Sequence, residues 1–183
     1  MSTTYPMDEL GQEFLTQILI QSEKLKDQAD RAMAQLNNHN QYYWKLNKED
    51  NSIAMLIHHL SGNMRSRWTD FLTTDGEKAD RNRPSEFDPS FEPAEEELQK
   101  VWEDGWRILI DTIQLLTPAD LMKIIYIRKE PHSVVNALLR QLTHYANHIG
   151  QITMLAKMQL GAEFSSLSIP RDAEIFDYRE LKR

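Results

Sequence analysis

The sequence predicts an all-α protein: a four-helix bundle with one short extended segment before the last helix. Three observations carry that expectation. Apolar residues recur at helical spacing through four long stretches. Clusters of turn-forming residues separate those stretches. The 183 residues suffice for one domain with a substantial core and are too few for two typical ones. The chain is read as one domain over residues 1–183, with 161–183 as a C-terminal tail.

The first helix, about Met7 to Leu36, carries Leu10, Phe14, Ile18, Leu25 and Met33 among polar residues. Asn37-Asn38-His39-Asn40 stops it, because short polar side chains compete for backbone hydrogen bonds. The second starts near Asp50, Asn51 or Ser52, all good N-cap types, and continues through Leu56, Leu60, Met64 and Trp68 to Phe71. A polar connection over 73–84 follows, long enough that a functional or disordered role is expected. The third helix spans Pro93 to Leu116. Lys123 to Arg128 is too short and too β-branched for a helix and reads as extended. The fourth helix begins near Pro131 and ends at Leu160, where Gly161 suits a left-handed cap. Four amphipathic helices in a chain this size most simply form a bundle, with Trp44, Trp68, Trp102 and Trp106 read as core.

Composition narrows the function. A formal charge of −7 argues against nucleic acid as a partner, since phosphate binding needs clustered positive charge. Arg65, Arg67, Arg81 and Arg83 leave room for a local basic patch, but are read as surface arginines paired with nearby carboxylates. With no cysteine, any metal must sit on nitrogen and oxygen. The first residues lack the basic start and apolar run of a signal peptide, and no apolar run approaches the ~20 residues of a membrane span. A cytoplasmic protein without membrane partners is expected.

Histidine placement is the strongest functional signal. His144 and His148 stand one helical turn apart, close enough for both imidazoles to share a cation. At about 100° per residue both lie along the margin of the fourth helix's apolar stripe, with Gln141 and Gln151 on the same side. The bland alternative is a pair of boundary histidines hydrogen-bonded to neighbours. A third nitrogen would come from the second helix, where periodicity alone does not choose between His58 and His59. His132 reads as a capping or surface residue and His39 as a loop residue. Tyr145 stands where a metalloprotease HExxH would place its glutamate, and neither His144 nor His148 has the glutamate three residues before it that a di-iron bundle requires. A mononuclear three-histidine site is the constellation left.

Two segments together resemble a DinB-like subfamily of unknown function. One runs from Ile53 through His58-His59-Leu60-Ser61-Gly62-Asn63 and Arg65-Ser66-Arg67-Trp68 to Lys78, with Arg81 and Arg83 beyond; the other is Leu142-Thr143-His144-Tyr145-Ala146-Asn147-His148-Ile149-Gly150-Gln151-Ile152. The resemblance extends from the first helix to the end of the fourth. It implies an up-down-down-up bundle, often dimeric, with a divalent metal held by three histidines. The family's second-helix ligand precedes an aliphatic and a small residue, which maps onto His59 before Leu60 and Ser61. The helical pair maps onto His144 and His148, and the trailing glutamine onto Gln151. Related members use such a metal to activate a low-molecular-weight thiol.

The resulting expectation is a divalent-metal-dependent enzyme, zinc or nickel, that activates water or a small thiol for transfer or hydrolysis on a small-molecule substrate. Asn63, Arg67 and Gln151 are expected around the ligands or the substrate. A homodimer is expected. The alternative is a non-catalytic, metal-stabilised dimeric bundle, and a nucleic-acid binder ranks last.

Overall fold

The computed structural model describes residues 7–169. Four long helices dominate: α1 (Met7–Met33), α2 (Ile53–Trp68), α3 (Glu95–Leu115) and α4 (Val134–Leu160). A two-stranded antiparallel sheet, β1 (Ile124–Ile127) and β2 (Glu130–Ser133), precedes α4. The all-α expectation therefore holds for the bulk of the chain. Of the tail expected over 161–183, residues 161–169 form a short 3₁₀ turn and an irregular stretch, and the rest lies outside the described residues.

Local chemistry sets each boundary. After α1 the amide oxygen of Gln41 accepts the N–H groups of Asn37 (2.6 Å) and Asn38 (3.2 Å), which turns the chain into a 3₁₀ turn at His39–Tyr42. α1 thus stops three residues short of Leu36. Ser52 caps α2 by accepting the Met55 N–H at 3.2 Å, within the expected Asp50–Ser52 window. α2 ends at Trp68 rather than Phe71, because Thr69 is extended and Asp70 has φ of 48°. Phe71 nevertheless packs on the Trp68 ring at 4.7 Å. α3 has no side-chain cap; Glu95, Glu96 and Glu97 complement its N-terminal dipole instead. Ser133 caps α4 by accepting the Asn136 N–H, and Gly161, with φ of 54°, closes it.

The hairpin corrects one expectation. The segment 123–128 is extended as read, but Pro131 and His132 do not open the last helix. They belong to β2, where His132 pairs with Ile125 and Pro131 with Tyr126. The two-residue turn is Arg128-Lys129, both at positive φ (56° and 64°) and neither the Gly or Asn that such turns favour. Asp75 supplies the compensation. Its carboxylate accepts the N–H groups of Arg128 (2.9 Å) and Lys129 (2.8 Å) and so ties the polar connection after α2 to the hairpin tip.

α2 packs against α3, and α1 against α4, with further contacts of α1 to α3 and α2 to α4. Gly105 lets α3 approach α2 closely: a Cβ there would lie 2.9 Å from the Ser61 Cα. Trp106, Tyr145, Leu60, Met64, Ile149 and Ile152 fill the centre with at most 1 % exposure. Each large apolar side chain so buried contributes ~1.5–3 kcal/mol relative to exposure. Trp68 and Trp102 are buried as well, and Trp44 is only partly so. Among the described residues no helix is long and apolar enough to cross a membrane.

Candidate metal centre

α2 presents His59 toward α4, and α4 presents His144 and His148 one turn apart. The three rings meet edge to face, with centroids 5.3 Å (59–144), 4.9 Å (59–148) and 4.6 Å (144–148) apart. One ring nitrogen from each lies within 4.8 Å of the others, close enough to bind a single metal ion. His58, the residue that periodicity left equivalent, faces elsewhere. Its ring stacks on Phe91 at 3.9 Å and lines a separate cavity of 850 Å³ to which no triad histidine contributes.

Hydrogen bonding decides which nitrogens are free. His59 Nδ1 lies 2.8 Å from Glu86 Oε2; a carboxylate only accepts, so Nδ1–H donates and Nε2 is the nitrogen left for another partner. His148 Nδ1 likewise donates to the Gln151 amide oxygen at 3.3 Å. His144 Nε2 is buried and has no hydrogen-bond partner at all. Such an orphan costs ~1–3 kcal/mol unless something satisfies it. Three imidazoles, two with Nδ1 engaged from behind and one with a buried, unpartnered Nε2, fit a divalent cation well.

Glu86 is the neighbour of the triad that the sequence reading missed. It sits in a 3₁₀ turn, Arg83–Phe87, begun by Pro84 and capped by Asn82, and is 3 % exposed. Besides His59 it accepts a two-pronged pair from Arg81, Nε at 2.7 Å and Nη2 at 2.9 Å. Burial pushes the Glu86 carboxyl up, but hydrogen bonds from His59 and Arg81 and the Arg81 charge outweigh it and hold it below the usual range. The only available signal was Arg81-Asn82-Arg83 within the family-like segment, which lies outside any helical period.

The arginines also differ from their expected place. Arg67 is 4 % exposed rather than a surface residue, and it donates to the Gly76 carbonyl and to Glu77 Oε2 (2.9 Å). Arg81 joins the same network through Glu77 at 3.4 Å. Arg65 and Arg83 are exposed. Asn63 is buried and accepts the Tyr145 hydroxyl at 3.1 Å, while that hydroxyl accepts Trp68 Nε1–H at 2.8 Å. Tyr145 thus points away from the imidazoles that flank it in sequence, and burial pushes its phenol up. His132 Nδ1 pairs with Asn136 Oδ1, and His39 Nε2 with the Pro93 carbonyl and the Tyr43 hydroxyl; neither joins the triad.

A cavity of 640 Å³ opens over the triad, and Asn63, Arg67, Gln141 and Gln151 all line it. A family described as "Protein of unknown function (DUF1572)" matches residues 9–173. The chain belongs to that family. No curated protein matches it. In this DUF1572 member the matched stretch contains all three histidines and Glu86.

Desolvation, followed by the neighbouring charge of His148, lowers the His144 pKa to about 3; desolvation also lowers that of His148. A histidine with a depressed folded-state pKa binds fewer protons than its unfolded counterpart between the two values. Its contribution is therefore present above about pH 6.5 and is lost as pH falls toward 3. The metal-free protein is expected to melt progressively lower from pH 7 to pH 4. Replacing His144 with Gln should flatten that slope, as measured by calorimetry across the range.

Proposed function

We propose that this chain is a DinB-like, divalent-metal-dependent enzyme in which His59, His144 and His148 hold the ion, zinc or nickel, through Nε2. The observation that carries the reading is the buried, unpartnered Nε2 of His144 beside two imidazoles whose other nitrogens are already engaged. An up-down-down-up helix order agrees with the residue contacts. Gln28 meets Thr153 and Gln35 meets Ser165, which suits α1 and α4 advancing together. Ser61 meets Gly105 and Trp68 meets Thr112, which suits a parallel α2 and α3.

A divalent ion held there supplies Lewis acidity and lowers the pKa of water or of a small thiol placed beside it. The protein's own part is to aim and dry the ligands. Glu86 fixes the orientation of the His59 ring, and Arg81 holds Glu86 ionised. Gln151 does the same for His148, more weakly. Among the described residues no carboxylate lines the cavity, so no protein carboxylate competes with the imidazoles as a base. That absence favours activation at the ion over a conventional acid–base pair. We propose a homodimer acting on a small molecule, on the strength of the family resemblance.

Cobalt substitution separates the enzyme from a merely metal-stabilised bundle. The cobalt protein should show a visible band that shifts and intensifies when cysteine is added as a thiol probe. A band indifferent to the thiol, together with a melting temperature that drops on chelation, would favour the structural role.

A further inference from the structure

The chain carries a formal charge of −7, yet five guanidiniums line the cavity over the triad: Arg67, Arg81, Arg83, Arg128 and Arg140. They arrive from separate parts of the fold, namely α2, the connection after it, the hairpin tip and α4. A solvated charged face would not gather them around one mouth. Two carboxylates answer them from behind, Glu77 bonded to Arg67, Arg81 and Arg128, and Glu86 bonded to Arg81. Five positive charges against two negative leave an excess of three before any ion binds.

Arg83 and Arg140 have no carboxylate partner among the described residues, and both are exposed. Arg83 is placed rather than loose. Its guanidinium carbon lies 5.2 Å from the centre of the Phe87 ring, and Phe87 in turn packs on the His59 ring at 4.7 Å. Deeper in, Arg67 is nine-tenths buried or more, and its Nε–H has no partner. The Gln141 amide oxygen, also on the cavity wall, is buried and unpartnered too. The cavity therefore combines surplus positive charge with unused polar atoms.

We propose that this cavity recognises its small-molecule substrate through an oxyanion, a carboxylate or a phosphoryl group, gripped by Arg83 and Arg140 with Arg67 beneath. The planar guanidinium fork matches both groups in two-pronged geometry. A volume of 640 Å³ suits a metabolite-sized ligand rather than a polymer. Like charge gathered around one concave mouth attracts such ligands from solution. The proposal rests on the triad being the reacting centre, since it assigns the arginines to holding the substrate beside it.

The test is calorimetric titration of the full-length protein at low ionic strength with malonate and with inorganic phosphate. Malonamide serves as the uncharged match for malonate. Either anion should bind and malonamide should not; tighter malonate points to a carboxylate and tighter phosphate to a phosphoryl group. Arg83→Gln and Arg140→Gln should each weaken the anion at least tenfold. Arg107→Gln, on the exposed face of α3 and outside this cavity, should leave it unchanged.

Repeating the titration on metal-loaded and chelator-treated protein separates this proposal from the metal reading. Arginine-dependent anion binding without any metal uptake would leave the oxyanion site standing and remove the metal. Anion binding that requires metal and ignores both arginine substitutions would overturn the oxyanion site and keep the metal. Equal binding of malonamide, or no binding of either anion, would also overturn it.

Discussion

Glu86→Ala is expected to destabilise the protein by ~3–5 kcal/mol, the usual cost of removing one partner from a buried ion pair. The Glu86 and Arg81 side chains are only 4 % and 5 % exposed, so the substitution strips a buried guanidinium of its two-pronged partner and leaves it only the longer 3.4 Å contact to Glu77. The His59 Nδ1–H loses its acceptor at the same time. For a chain this long the melting temperature should fall by roughly 6–20 °C. Glu103→Ala is the fitting control: it also removes an ion pair, to Lys26, but the glutamate is 52 % exposed. Exposed pairs contribute ~0–1 kcal/mol, so that variant should melt within ~4 °C of the parent. Equal melting of the two variants would mean that Glu86 is not the keystone of the cavity wall. Metal affinity gives an independent reading, because loss of an outer partner to a ligating histidine typically costs ~10–100-fold.

His144→Ala should have the opposite profile. Structural zinc sites gain ~10–16 kcal/mol from four ligands, or ~3 kcal/mol each, so losing one of three should weaken binding on the order of a hundredfold or more. The metal-free fold should hardly notice. The lost imidazole is half-buried, is held well below its ordinary pKa by desolvation, and has a buried nitrogen that bonds to nothing. Its removal relieves an unsatisfied group instead of creating one, and helicity and metal-free melting temperature should stay near the parent's. Competition titration against a chromogenic chelator gives the affinity, and circular dichroism gives the fold. A variant that binds metal as tightly as the parent would take His144 out of the site.

These contrasts show which parts of the molecule its sequence makes legible. Helical periodicity locates α1 to α4 because burial on one face imposes it directly on residue order. The His144–His148 pair is legible for the same reason, as both sit on one turn of one helix. The choice of His59 over His58 is legible through the family resemblance but not through periodicity, since adjacent residues flank the same stripe and differ only in what later segments bring to them: Glu86 and Phe87 to one, Phe91 to the other. Glu86 lies in a 3₁₀ turn with no period to betray it, held by contacts to Arg81 and His59 that are tertiary in origin. The hairpin was half legible. Its β-branched first strand is plain, but Arg128-Lys129 carries no turn signature because Asp75, 53 residues upstream, stabilises the unusual backbone in place of glycine. The arginines misled because charge composition is averaged over the surface, whereas their gathering in one cavity is a property of the fold.

The central claim is that three imidazoles from α2 and α4 hold one divalent ion. Elemental analysis of protein purified without an affinity tag, combined with X-ray absorption at the edge of whichever metal is found, addresses it most directly. About one ion per chain is expected, with scattering from three imidazoles at ~2.0–2.1 Å if the metal is zinc, and both signals should be lost in His59→Ala. Less than a tenth of an equivalent after reconstitution, or an unchanged absorption spectrum in that variant, would contradict it.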